Sequence, residues 1–271
     1  MPDLGRLREL VLRHTGVILD ADREGLLEAR LTTLFRRRPE LERSAALAAL
    51  DDRPDAPELI EICEALTNGE TSFFREPLMF DELRGWVLPE LARRRDRLEL
   101  WCAACSTGQE PYSLAMLIAT WFPELLEPGR VRIIASDVSR HNLAVADAAT
   151  YTRAQINRGL PAAMLVRWFD ALSGESPRWR LRRQLRELVE LRHLNLLRPW
   201  PLLPPFDLIL LRNALVYWSE ADRRQVLERA RSKLAGEAYL ALGGAELLPR
   251  DLDLRVVQRQ RWRFYARPPL A

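Results

Sequence analysis

Four short, mostly apolar runs constrain this chain most. LELWCAA (98–104), VRIIAS (131–136), FDLILL (206–211) and AYLALGG (238–244) are too short for buried helices and lack the alternation of a half-exposed strand. They read as strands buried on both faces. Between them, YSLAMLIATWF, HNLAVADAA and EADRRQVLERARSKL carry helical spacing. Strand and helix in alternation predict an α/β fold: a doubly wound, mostly parallel sheet.

The first 68 residues differ. Leu4, Leu7 and Val11, then Leu26, Leu27, Leu31 and Leu34, recur at spacings of three and four. Gly16 is placed to close the first helix and Asp20 or Asp22 to cap the second. AALAAL and PELIEICEAL continue the pattern, so about four short helices are expected. The predicted organisation is a helical domain over 1–68, a linker over 69–80 contributing to a site, and a sheet domain over 81–271. An inserted subdomain over about 150–195 interrupts the sheet domain, where Leu188–Leu194 alternates as an antiparallel strand would.

The 41 Lys+Arg and 38 Asp+Glu leave a net charge of +3, so nucleic acid is not an expected partner. Positions 1–66 hold ten basic and fourteen acidic residues, leaving −4 there and +7 for the rest. Arg30, Arg36, Arg37, Arg38 and Arg43 cluster near the end of the second helix, where a solvated helix end competes with a docking face. Three cysteines make no disulfide framework, and no run of 18 apolar residues or signal peptide is visible. A cytoplasmic protein without membrane insertion is expected, and a monomer, since no heptad repeat appears.

LELWCAACSTGQEPYSLAM runs from a strand through small residues into a helix. Ligands of open parallel sheets bind at the carboxyl ends of strands, where Ala103, Ala104, Cys105, Ser106 and Gly108 let the backbone come close. Neither a dinucleotide G-x-G-x-x-G nor a P-loop is present. A nucleoside without phosphates fits better. Glu110 starts the next helix, and Asp137 ends the second strand, placed for ribose hydroxyls or for capping the helix near Ser139. Together these features point to S-adenosylmethionine. Cys102 and Cys105, with alanines between and no histidine nearby, read as small core residues, and no metal site is expected. TNGETSFFREPLMF (67–80) is too polar and aromatic for a linker alone, and FDLILLRNALVYW places Arg212, Asn213, Tyr217 and Trp218 after a strand.

TNGETSFFRE, AACSTGQEPYS, ASD, NLL and RNALVY, in this order, resemble the CheR family of chemotaxis-type protein-glutamate O-methyltransferases, and HTGVILDADREGLLEARL resembles its helical domain. The resemblance implies a Rossmann-like methyltransferase with an inserted β-subdomain. It would transfer a methyl group from S-adenosylmethionine to glutamates on the cytoplasmic helical domain of a chemoreceptor or related sensory protein, leaving S-adenosylhomocysteine. By motif position and strand ends together, the expected cofactor residues are Asn68, Gly69, Thr71, Arg75, Cys105, Glu110, Asp137, Asn195, Leu196, Leu211, Arg212 and Asn213. Arg75 and Tyr217 would lie nearest the methyl group and act in catalysis.

Transfer from sulfonium to carboxylate needs alignment and exclusion of water but no general base, because glutamate is ionised at pH 7. Arg75 would orient a carboxylate and Tyr217 the acceptor oxygen; otherwise Arg75 would pair with Glu70 or Glu76, and Tyr217 would be a core aromatic. Gly69 stands where the family has Asn, and Ala245 in GGAE where it has Ser. These departures motivate a second reading, a non-catalytic S-adenosylmethionine-binding scaffold. A third, an RNA methyltransferase, rests on the +7 balance and on Arg178, Arg180, Arg182, Arg183 and Arg186.

Overall fold

The structure is a computed structural model and describes residues 4–19, 24–39, 56–67, 69–174 and 176–267. It divides into two compact units, one of residues 1–69 with 217–223 and one of 70–216 with 224–271.

In the first unit, helices α1 (Leu4–Thr15), α2 (Glu24–Arg37) and α3 (Pro57–Leu66) enclose Leu7, Val11, Leu31, Leu59, Ile62 and Leu66. Gly16 ends α1 at φ 72°, its N–H donating to the Leu12 carbonyl at 2.8 Å. Arg30 donates to the Leu66 and Thr67 carbonyls at 2.8 and 3.1 Å, satisfying the end of α3, and Arg38 pairs with Glu61 at 2.5 Å. Two of the clustered arginines are therefore used within the unit. Asp20, Asp22, Arg43 and the AALAAL segment lie outside the described residues.

The second unit begins with α4 (Pro77–Glu82) and α5 (Leu88–Arg94) and then builds the sheet. Its strands are β1 (Leu98–Ala103), β2 (Val131–Asp137), β6 (Val189–His193), β7 (Phe206–Leu211), β8 (Leu234–Leu242), β9 (Arg255–Val257) and β10 (Phe264–Ala266), ordered β6-β2-β1-β7-β8-β10-β9. All neighbours pair in parallel except around β10, which runs antiparallel to β8 and β9. Helices α6 (Gln109–Trp121), α7 (Arg140–Ala148) and α11 (Glu220–Ser232) follow β1, β2 and β7. This is the doubly wound, mostly parallel sheet that the alternation of strands and helices predicts.

Strands β3 (Thr150–Thr152), β4 (Phe169–Leu172) and β5 (Arg178–Leu181) form a separate antiparallel sheet, with the short helices α8 (Arg153–Asn157) and α9 (Ala162–Trp168) between β3 and β4 and α10 (Arg183–Arg186) after β5. The antiparallel reading of Leu188–Leu194 does not hold. Val189–His193 pairs in parallel with β2, and its polar residues are accommodated because this is an edge strand on which only Val189 is fully buried. In the basic run, Arg182 pairs with Asp170 and Arg183 with Glu187 on an exposed face. Among the described residues, no helix is long and apolar enough to cross a membrane.

Cys63, Cys102 and Cys105 are buried and free. Burial pushes the Cys63 thiol up to about 12 and raises the other two well above the ordinary value. None is expected to react with Ellman's reagent at pH near 8 in the folded protein, and all three in guanidinium. A rapidly titrating native thiol would contradict this packing.

Candidate cofactor site

The carboxyl ends of β1, β2, β6 and β7 lie along one edge of the sheet. After β1, Ala104, Ser106 and Gly108 take left-handed φ values of 56°, 50° and 93°. Only Gly108 is sterically compelled. A Cβ there would meet the Ala146 Cβ at 2.9 Å, Tyr112 at 3.0 Å and the Tyr151 hydroxyl at 3.1 Å. The small residues thus let α6 start hard against α7 and β3.

Asp137, at the end of β2 and 7% exposed, holds this turn. Its Oδ2 accepts from the Ser106 N–H at 2.8 Å and its Oδ1 from the Ser139 N–H at 2.9 Å. Ser139 itself caps α7 through the Asn142 N–H at 3.1 Å. Cys105 donates its N–H to the Ser136 carbonyl at 2.8 Å. The Asn195 loop joins the same edge, because the Leu194 N–H bonds the Asp137 carbonyl at 3.0 Å. Asn195 Oδ1 accepts from the Leu197 N–H at 2.9 Å. Leu196 and Leu211 bury their side chains.

A second cluster centres on Arg212, whose side chain is 1% exposed. One guanidinium nitrogen donates to Glu110 at 2.5 Å, and the other to the Arg75 carbonyl at 2.5 Å and to Glu76 at 2.8 Å. The Phe80 and Trp262 rings lie 5.7 and 5.8 Å from the guanidinium carbon. Arg212 Nε is buried and, among the described residues, has no hydrogen-bond partner. Burial raises the Glu110 carboxyl above its ordinary value; Arg212 draws it back, Glu76 adds to the rise and Arg75 opposes it.

Two carboxylates that the motif reading did not place in the site complete it. Glu76 occupies the N-cap position of α4 in a left-handed conformation (φ 58°) with its side chain turned away from the helix; its second oxygen accepts from the Gly244 N–H at 2.9 Å. Glu246, 5% exposed, accepts three backbone N–H bonds at 2.8 Å each, from Asn213, Leu215 and Gly243. It holds Asn213 at φ 56°. Gly243 gives this turn its close approach, since a Cβ would lie 2.9 Å from Glu246 Oε2 and 3.0 Å from the Asn213 backbone nitrogen. The one sequence signal for Glu246 is a lone acid closing the small-residue run GGAE after a buried strand.

Arg75 pairs with neither Glu70 nor Glu76. It donates to the Glu70 carbonyl at 2.9 Å, while the Glu70 carboxylate pairs with Arg158. Thr71 is half-buried in the same loop. The second unit thus brings Arg75, Glu110, Arg212 and Asn213 into one network, and Cys105, Asp137 and Asn195 into another. Gly69 and Tyr217 are counted with the helical unit, where Tyr217 packs on the core and its carbonyl accepts from the Ile18 N–H at 2.7 Å. Asn68 lies outside the described residues. No group of three or more His, Cys, Asp or Glu among the described residues is arranged to hold a metal.

The family described as CheR methyltransferase, SAM binding domain, matches residues 69–263. Chemotaxis protein methyltransferase 1 of Pseudomonas aeruginosa is 34% identical over 252 residues, covering 91% of this chain and 90% of the relative. Chemotaxis protein methyltransferase Cher2 of Pseudomonas putida is 32% identical over 253 residues, with 91% and 90% covered. Among solved structures, the magnesium protoporphyrin IX methyltransferase of Synechocystis PCC 6803 with bound SAM is similar at a TM-score of 0.39 and 11% identity, over 73% of this chain and 84% of that one. The matched domain spans both clusters, and two relatives above 30% identity run nearly the whole length: the chain belongs to the CheR methyltransferase family, and its cofactor is S-adenosylmethionine.

Proposed function

We propose that this chain methylates glutamate side chains on the cytoplasmic helical domain of a chemoreceptor or a related sensory protein, producing S-adenosylhomocysteine as the second product. The observation that carries the reading is the Arg212 cluster at the carboxyl ends of the strands, whose buried Nε–H has no partner among the described residues. What sets this donor apart from the other buried arginine Nε groups is its setting, between Glu110 and Glu76 on a guanidinium that is 1% exposed, which suits a ligand carrying both charges, such as an amino-acid moiety. The donor set as a whole, carboxylates from Glu110 and Asp137 with guanidinium groups from Arg75 and Arg212, suits a ligand that joins a ribose to a zwitterion.

On this reading Asp137, Cys105 and the Asn195–Leu196 loop hold the nucleoside, and Glu110, Arg75 and Arg212 hold the amino-acid end. Thr71, Leu211, Asn213 and the Asn68–Gly69 pair complete the cofactor residues. The bound cofactor supplies a methyl group made electrophilic by its sulfonium. The chain's own task is to align the acceptor and remove water around it. Among the described residues Arg75 has one of its five donors engaged, with the Glu70 carbonyl, and the rest suit a carboxylate. Tyr217 contributes a hydroxyl to the acceptor. No base is involved, because the acceptor is already ionised.

The test is incubation with methyl-labelled S-adenosylmethionine and a receptor cytoplasmic fragment, scoring base-labile methanol release. Expected are methyl esters on glutamate and, for Arg75→Ala, a loss of about 10²-fold in kcat/KM. Parallel titration with S-adenosylhomocysteine separates the readings. Tight binding without turnover on any fragment would overturn the enzymatic reading and support the scaffold that Gly69 and Ala245 suggest.

A further inference from the structure

Beside the Arg212 cluster lies a cleft of about 100 Å³ that the methyl-transfer reading leaves without a role. One wall is the turn after β8, with Gly243, Gly244 and Glu246; the other is Arg261, Trp262 and Arg263. Residues 254–267 hold five arginines and no Asp or Glu. Two are engaged: Arg259 pairs with Glu90 at 2.7 Å and Arg267 donates to the Arg231 carbonyl. Arg261 and Arg263 are exposed and, among the described residues, have no ion-pair partner. Glu246 does not draw them in, since both its oxygens are turned to backbone N–H groups.

Two large apolar side chains stand on the segments that Glu246 ties together: Val216 is 51% exposed and Leu247 63%. The Leu215 N–H bond to Glu246 brings those segments side by side. Guanidinium groups next to exposed aliphatic side chains call for a partner with carboxylates and apolar side chains on one face. Nucleic acid fits less well: the aromatic residues here, Trp262 and Tyr265, are 8% and 4% exposed and give bases no surface to stack on.

We infer that this face docks an acidic, amphipathic helical segment of the protein substrate. Arg261 and Arg263 pair with its carboxylates, and Val216 and Leu247 cover its apolar side chains. The identity of that segment as methyl acceptor rests on the proposed function; the chemistry of the surface does not.

The test uses the full chain, a synthetic amphipathic helix with glutamates spaced i, i+4, a twin with glutamine in their place, and the receptor fragment. The acidic peptide is expected to bind in low salt about tenfold tighter than its twin, and R261E/R263E to remove that preference. The same double variant should raise KM for the fragment about tenfold while kcat and S-adenosylhomocysteine affinity stay unchanged. Leu247→Ala, which removes apolar area without adding charge, should weaken binding by a factor that salt does not alter. Failure of the wild type to bind the acidic peptide, equal binding by the double variant, or preference for duplex RNA would each overturn the inference. Peptide binding that depends on Arg261 and Arg263 with no methylation of any fragment would uphold the surface and sink the glutamate reading.

Discussion

Arg212→Leu is expected to destabilise the second unit by about 3–5 kcal/mol and to abolish cofactor binding at the same time. Leucine matches part of the volume but leaves Glu110 and Glu76 facing a buried site with their shared cation gone. Removing one member of a buried ion cluster costs more than the cluster contributes, because the remaining charges stay desolvated. A fall in melting temperature on the order of 10 °C follows for a unit of this size. Arg212→Lys should rescue little, since an ammonium cannot reach Glu110, Glu76 and the Arg75 carbonyl in one plane.

The loss should depend on pH. Burial already raises the Glu110 carboxyl, and Arg212 is the main influence opposing that rise. Without Arg212 it rises further. A carboxyl raised in the folded state favours folding at low pH and penalises it as pH rises through the folded value. The deficit of Arg212→Leu should therefore grow as pH rises above the ordinary carboxylate range and shrink as pH falls back into it, and adding Glu110→Gln should flatten that dependence. Thermal unfolding of the three proteins across this range decides it. A deficit that is constant with pH would mean that Glu110 is not the charge left stranded.

What the sequence made legible was whatever repeats along the chain. The four apolar runs are β1, β2, β7 and β8, and the small-residue stretch after β1 is the turn that Asp137 secures. Arg212 stood out because it directly follows such a run. What remained hidden depends on residues distant in the chain meeting. Glu76 and Glu246 are 170 positions apart and approach only because β8 lies beside β7 and Gly244 N–H bonds Glu76. Neither motif spacing nor periodicity carries that information. Strands of three residues, such as β9 and β10, give no period to read, and β6 carries the polar residues of an exposed strand because it is an edge. Asp137 had two readings, ribose acceptor or cap. Its oxygens accept from the Ser106 and Ser139 N–H groups, so it at least organises the turn that a nucleoside would meet.

Gly159→Ala is expected to be the most damaging alanine substitution among the described glycines of the second unit. Gly159 sits at φ 88°, and a Cβ there would lie 2.1 Å from the Phe73 carbonyl oxygen and 3.2 Å from its carbon. The obstacle is backbone, so no side chain can swing aside. Phe73 cannot retreat either: its ring is fully buried, 5.0 Å edge-on to Tyr151 and 5.7 Å from Phe169. The strain must therefore pass along the loop to Phe74, itself at φ 47°, and to Arg75, whose carbonyl Arg212 holds. Gly129 supplies the comparison, with a similar φ of 82° and nothing within 4 Å of a built Cβ. Gly129→Ala should cost only the left-handed penalty of about 1–2 kcal/mol, leaving S-adenosylhomocysteine affinity unchanged. Gly159→Ala should cost about 4 kcal/mol or more and weaken that affinity at least tenfold, because the displaced loop carries Thr71 and Arg75. Denaturant unfolding and ligand titration of the two variants measure both effects. Equal losses in the two would show that the close approach to Phe73 is relieved by movement of the α8 turn instead, and that the loop bearing Arg75 is not held from that side.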